Sequence, residues 1–343
     1  MQIVVDKKHD FVQELRRTPD LSGVPLYSAA AEPDIAELVD ETYACGVLAE
    51  RLPCEPDLLE IEIKPEWITE PIASCVAISL AAHIDGSTMR YARQYRMGRW
   101  YRQAQHQTLC LREEGALGQR ETTYSLLLAL ATDRVSPVKL APFETPEIAS
   151  QSLADCGISV LGSGQLCPDR PVLVNRQLVA DAVRRCLEAG TRETGGVVLG
   201  KLIRLDQPLP GATTRVVTVL SASVDDQRHV GDVHRFAFDP AALADAAQIA
   251  QLRGCGETVQ TVYHTHGWNS ACGNCNQHAK CPLAEAVPSL LDYQLIESLF
   301  PSKTTLLPIA GRKLGAAGRR PVLAIHSWRG GQLQPLTWQE YRD

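Results

Sequence analysis

The chain has 343 residues, a hydrophobic fraction of 45%, a charged fraction of 22% and a formal net charge of −6. That length suits one large domain or two ordinary ones, and that balance belongs to a folded soluble protein rather than a disordered one. No apolar run reaches the roughly 18–20 residues that a membrane-spanning helix needs, and the longest, Ile72–His83, is interrupted by Ser74 and Ser79.

The opening Met1-Gln-Ile-Val-Val-Asp-Lys-Lys lacks the basic-then-apolar order of a signal peptide, so a cytoplasmic location and no membrane association are expected. Residues 1–165 hold 15 Lys/Arg against 24 Asp/Glu, whereas the rest of the chain holds 19 against 16. An acidic front half argues against nucleic acid as a partner through overall charge, and suggests two compositionally different units. Eleven cysteines, an odd number, point away from a disulfide framework and towards metal ligands or reduced thiols.

The Pro-rich stretch Ser136–Thr145 and the Gly/Pro-rich stretch Gly157–Pro171 read as boundaries. The division expected is an acidic, mixed α/β N-terminal domain over 1–165, of unassigned role, and a second domain over 166–343. In the first, Glu60–Lys64 alternates as a strand does, and Pro71–Ile84 reads as a buried helix or strand, which periodicity alone does not separate. Met89–Arg112 and Glu121–Thr132 read as helices. Arg90, Arg93, Arg96, Arg99 and Arg102 recur every third residue among Tyr91, Tyr95, Trp100 and Tyr101, which on a helix makes a slowly drifting stripe. A docking surface for an acidic partner or a nucleic acid is one reading of it; a solvated face paired with the domain's own carboxylates is the simpler one.

The second domain has a clearer order. Val172–Asn175 is a short strand, followed by a helix over Arg176–Glu188 closed by Gly190. Gly196–Leu205 and Thr214–Ala222 are strands. A helix follows over Pro240–Arg253, with Asp239 as its cap and Pro240 in first position. Val259–His264 is a strand, Asp292–Leu299 a helix, and Thr304–Ile309 and Pro321–Trp328 are strands. The fold class expected is α/β (α+β), a mixed sheet flanked by helices and not a doubly wound nucleotide-binding fold.

Tyr263-His264-Thr265-His266 ends one of these strands, and residues two apart in a strand project to one face, so both imidazoles can reach one metal ion. Two histidines, one carboxylate and an open position make a catalytic zinc site. Asp292 is the natural carboxylate ligand. Glu193, in Arg192-Glu193-Thr194-Gly195-Gly196, would be an unbound carboxylate near the metal, which a general base requires.

The run 171–328 resembles a JAMM (JAB/MPN-fold) zinc metallopeptidase of bacterial type. The resemblance rests on Glu193 with Gly195-Gly196-Val-Val-Leu-Gly200, on His264-x-His266, on Ser289-x-x-Asp292, on His234-Arg-Phe-Ala-Phe-Asp239-Pro240 and on Phe300-Pro301-Ser302. It implies an MPN-type mixed sheet and hydrolysis of the amide bond after the C-terminal Gly of a ubiquitin-like modifier, as deconjugation or maturation. It implies Zn²⁺ on His264, His266 and Asp292, Glu193 as base, and Ser289 stabilising the oxyanion. The implied partners are a ubiquitin-like protein or its conjugates, with activating and conjugating enzymes. Gly195, Gly196 and Val216–Ala222 are expected to border a groove that takes a Gly-Gly tail by strand addition. A non-catalytic MPN scaffold in a modifier-conjugation complex is the alternative, although such members usually lose ligands that are all present here.

One departure stands out. The family usually places the Ser about eight residues after the second His, often with Pro directly following that His. Here Gly267 takes that place and Ser289 lies 23 residues on. The extra residues, about 268–287, contain Cys272-x-x-Cys275-x-x-His278-x-x-Cys281, the ligand set of a structural zinc knuckle. An iron–sulfur centre on Cys272, Cys275 and Cys281 with Cys255 is an alternative, and reduced cysteines in a loop are the plain one. A zinc deaminase would need His-x-Glu and Pro-Cys-x-x-Cys, and this chain has His-x-His with Ala271 before Cys272.

Overall fold

The computed structural model describes residues 1–7, 11–17, 25–30, 32–69, 72–96, 107–108, 110–118, 124–130, 146–162, 164–226, 230–231, 236–267, 285–300, 302–315 and 318–343. They form an α+β protein with mixed sheets in two compact units. The first unit spans Met1–Val47, Arg51–Thr145 and Arg329–Gln332; the second spans Leu48–Glu50, Pro146–Trp328 and Leu333–Asp343. The main division thus falls after Thr145, at the end of the Pro-rich stretch and ahead of residue 165. Among the described residues no helix is long and apolar enough to cross a membrane.

The first unit is a seven-stranded sheet with a helix on one face. Its elements are β1 (Gln2–Lys7), β2 (Phe11–Arg17), β3 (Tyr27–Ala30), α1 (Glu32–Leu48), β4 (Leu58–Thr69), β5 (Ile72–Ile84), β6 (Ser87–Arg96) and β7 (Tyr124–Leu130). The ambiguous run Ile72–Ile84 is therefore a strand, paired with β4 along most of its length. Among the described residues the β1–β4 ladder ends at Ile63, short of Pro65, which faces Val76 of β5 on its other side.

Two sequence readings are corrected here. Met89–Arg96 is strand, not helix, while 107–108 and 110–113 are helical; Tyr124–Leu130, read within a helix, pairs with β2. The cause of the first is the turn before it. Asp85 (φ 48°) and Gly86 (φ 74°) both lie in the left-handed region, the two-residue hairpin that matches strand twist and makes β5 and β6 partners from Ile84↔Ser87 onward. The arginine stripe consequently does not exist as a stripe. Arg90 lies on the solvent face, and Arg93 on the opposite face, where its Nη1 donates to Cys45 Sγ of α1 at 2.6 Å. Arg99 and Arg102 lie outside the described residues.

The second unit is a ten-stranded sheet. Its elements are β8 (Ile148–Ser150), β9 (Ser159–Leu161), β10 (Val172–Asn175), α2 (Arg176–Ala189), β11 (Gly195–Arg204), β12 (Val216–Asp225), β13 (Val230–Gly231), β14 (Phe236–Ala237), α3 (Ala241–Arg253), β15 (Thr258–Thr265), α4 (Leu290–Leu299), β16 (Leu306–Gly315), β17 (Gly318–Arg329), β18 (Gln332–Leu336) and β19 (Gln339–Arg342). The strands run β18-β17-β16-β15-β11-β12-β10-β19-β9, with β8 added on β11 and β13 paired with β14 apart from the sheet. The β15–β16 and β10–β12 pairs are parallel and β11–β15 is antiparallel.

Strand alternation sorts the core into two layers. Val198, Tyr263, Leu306 and Ala310 pack with Leu178, Ala182 and Cys186 of α2. Their neighbours Val197 and Leu199 pack against Ala242, Ala246 and Ala250 of α3, and Val262, Leu307 and Ile309 against Tyr293 and Ile296 of α4. The helix ends follow the chemistry of their sequences. Asn175 Oδ1 accepts from Gln177 N at 2.8 Å to start α2, and Gly190 (φ 66°) ends it. Asp239 Oδ1 accepts from Ala241 N at 2.9 Å, with Pro240 between them, to start α3.

Candidate metal centre

His264 and His266 come from the end of β15, and hydrogen bonds on both sides hold the chain extended past His264. His266 N donates to Ala310 O of β16 at 2.8 Å, and Thr265 N donates to Thr194 O at 2.7 Å. Both histidines therefore face the α3/α4 layer, as Val262 does. Asp292 arrives from above on α4. Ser289 caps that helix, its Oγ accepting from Asp292 N at 3.4 Å while Asp292 Oδ2 accepts from Ser289 N, a reciprocal capping box. The same cap that starts the helix thus fixes the carboxylate over the imidazoles.

His264 Nε2 lies 2.9 Å from Asp292 Oδ1, and His266 Nε2 lies 3.7 Å from Asp292 Oδ2. One ligand atom from each of the three residues falls within 4.8 Å of the others, and all three residues are buried. His266 Nδ1 contacts the carbonyl oxygen of Glu285. A carbonyl can only accept, so Nδ1 carries the hydrogen, which leaves Nε2, on the Asp292 side, as the nitrogen able to ligate. A ligating histidine needs that tautomer, and this donor set fits a metal ion with N,N,O chemistry. Burial pushes the His264 pKa down, but the Asp292 carboxylate outweighs it and holds the imidazole above its ordinary value, with Glu193 adding in the same direction. Burial works against the charged form of Asp292 too, yet the two histidines hold it well below the usual carboxylate range.

Glu193 precedes β11. The register pairs Gly195 with His264, and the Thr194–Thr265 contact carries the pairing on, so Glu193 falls opposite His266 and shares its face. Gly195 between them has no side chain to fill the space. Glu193 is half-buried.

The long segment between ligands is accommodated on β16. His266 bonds to Ala310, and Glu285, on the returning chain, bridges to Arg312 two residues further along the same strand. The two ends therefore meet beside one another, as a looped-out insertion requires. Cys272, Cys275, His278 and Cys281 lie outside the described residues. Cys255, the fourth iron–sulfur candidate, sits before the start of β15, about 20 Å of strand away from His264 at ~3.3 Å per residue.

Strand pairing bears on part of the expected border of a strand-addition groove. Gly196 is paired with Tyr263 on one side and Asp225 on the other, so β11 has no open edge there. Val216–Leu220 pairs with β11, and Thr218–Leu220 pairs with β10 as well.

His326 of β17 is a neighbour that sequence reading missed. It is buried, its Nδ1 lies 3.2 Å from Leu307 O, and the charges of Asp292, His264 and His266 reach it. Burial drives its pKa down to about 4, so the ring is neutral near pH 7. The signal available was the alternation Ala324-x-His326-x-Trp328, which puts it on the face of Leu307 and Ile309. Below the sheet, Cys186 Sγ donates to His266 O at 3.4 Å; burial raises that thiol to about 11 and keeps it unreactive.

No family model matches the chain, and no curated protein matches it. Among solved structures, the solution structure of protein DSY2949 from Desulfitobacterium hafniense is similar over 50% of this chain and 94% of its own, at 13% identity and a TM-score of 0.32. A likeness of that size leaves the functional reading to the residues themselves.

Proposed function

We propose that the second unit is a zinc-dependent peptidase of the JAMM type, acting in the cytoplasm on the amide bond that follows the C-terminal Gly of a ubiquitin-like modifier. The observation that carries this reading is the buried His264–His266–Asp292 group with Glu193 on the same face. Zinc held by those three residues would supply Lewis acidity and bring the pKa of water towards about 7.

The chain's own residues then divide the remaining work. Glu193, half-buried and opposite His266, takes a proton from the attacking water and delivers it to the departing amine. Ser289 uses its Oγ as an acceptor in the helix cap, and its O–H stays available to donate to the oxygen that gains charge on the scissile carbonyl. His266 is kept in the ligating tautomer by Glu285 O, and Asp292 is kept in place by the capping box. The modifier and its activating and conjugating enzymes are the partners this reading expects.

The test is a purified full chain with its metal content measured, given a modifier fused through its C-terminal Gly. Cleavage should be lost in Glu193→Gln while the zinc content stays that of the wild-type chain. Metal retention with no cleavage by the wild-type chain would support the non-catalytic scaffold, and undiminished cleavage by Glu193→Gln would remove Glu193 from its role.

A further inference from the structure

The sheet of the first unit has a second face, opposite α1, and register shows what that face carries. Val4↔Glu60↔Ala81↔Arg90 form one row across β1, β4, β5 and β6, and Asp6↔Glu62↔Ser79↔Ala92 form the next. Over these two rows lies a trough of about 690 Å³. Its floor is the small side chains of Ser79, Ala81 and Ala92, one wall is Asp6, Glu60 and Glu62, and the other is Arg90.

Two features of this arrangement do not serve the sheet. Asp6 and Glu62 are direct cross-strand partners, and like charges placed opposite one another destabilise a sheet. Lys64, 2.6 Å from Glu62, offsets that only in part. Glu60 and Arg90 have opposite signs but sit in one row with Ala81 between them, two strand spacings or about 10 Å apart. Among the described residues no ion pair joins them, and Glu60 turns instead to His83 Nε2 at 3.3 Å. A carboxylate wall and a guanidinium wall thus face each other across an alanine floor.

We propose that this trough docks an extended segment of a partner protein carrying a Lys or Arg side chain and, two residues away, an Asp or Glu side chain. The basic group meets Asp6, Glu60 and Glu62, the acidic group meets Arg90, and the small floor lets the backbone lie close. Residues two apart in an extended chain share one face and lie ~6.6 Å apart, within the reach of long side chains to both walls. The proposal is independent of the metal centre.

The probe is a blocked peptide of sequence Lys-Ala-Glu, titrated at millimolar concentration into the isotope-labelled full chain, with Gln-Ala-Gln as control. Saturable amide shifts are expected at Ser79, Ala81 and Ala92, with affinity at least about fivefold weaker in Glu60→Lys and in Arg90→Glu and falling with added salt. Both positions are exposed, so the variants should keep the wild-type unfolding midpoint. Equal binding of the neutral peptide, unchanged affinity in the variants, or no saturable shift would each overturn the proposal.

Discussion

His264 Nε2 and Asp292 Oδ1 meet at 2.9 Å, joining the end of β15 to the first turn of α4 at a buried point. Neither element brings the partner by local sequence: 27 residues separate them along the chain. What holds the pair is the β15–β16 ladder below and the Ser289–Asp292 capping box above.

Removing either side of that contact should remove the metal. His264→Ala or Asp292→Asn is expected to weaken zinc affinity by about 100-fold or more, since even residues outside the ligand set commonly cost 10–100-fold. Direct titration with a competing chelator measures this. Wild-type affinity in both variants would show that the three residues do not form the site.

Proton competition gives the same site a pH dependence. In the metal-free chain Asp292 is held low, so its contribution to stability is present above the ordinary carboxylate range and is lost on acidification. His264 is held high, so its contribution is present below the ordinary imidazole range and is lost as pH rises through its raised value. A metal must displace the His264 proton. Zinc affinity should therefore rise with pH as far as the raised His264 value, with release of the displaced proton, and flatten beyond it. Calorimetry in buffers of different ionisation enthalpy counts that proton, and an affinity that does not rise with pH from the ordinary imidazole range upward would contradict the assignment.

Ser289 is given two jobs, and substitution can separate them. Ser289→Ala should cost about 1 kcal/mol through loss of the cap. Ser289→Asp restores the cap, and should restore stability and zinc binding, but supplies no hydroxyl. If the O–H stabilises the oxyanion, Ser289→Asp keeps its metal and loses about 10²–10³ in kcat. Full activity in Ser289→Asp would leave Ser289 as a helix cap alone.

How much of this was legible in the sequence depends on where each residue finds its partner. His264 and His266 were readable because a two-residue period in a β-branched strand sends both to one face, and Asp292 because Ser-x-x-Asp begins a helix. The hydrogen bond that settles the His266 tautomer was not, because Glu285 O is a backbone group on the far side of a 17-residue segment. His326 was hidden for the same reason, its partner being the Leu307 carbonyl of a neighbouring strand. In the first unit, arginines at every third position imitated a helix, while the decisive signal was the Asp85-Gly86 pair whose positive φ values turn β5 back on itself as β6. Gly195 and Gly196 read only as bordering a groove, because sequence does not reveal that β12 and β15 flank Gly196 on both sides.

That flanking yields a last expectation. A Cβ on Gly196 would press into the Val224 carbonyl oxygen and reach the Asp225 backbone inside van der Waals contact. Neither obstacle is a flexible side-chain end, so β11 and β12 must separate to admit it. Gly196→Ala is therefore expected to destabilise the second unit by about 3 kcal/mol, at the upper end of overpacking effects. Because Gly195 is paired with His264 in the adjacent position, the strain should also reach the ligands and weaken zinc binding, whereas exposed Gly211 (φ 85°), remote in sequence from the ligands, should lose stability on Gly211→Ala without affecting the metal. Urea unfolding and zinc titration of the two variants separate these outcomes. A Gly196→Ala chain with wild-type midpoint and affinity would mean that the β11–β12 approach is looser than the register implies.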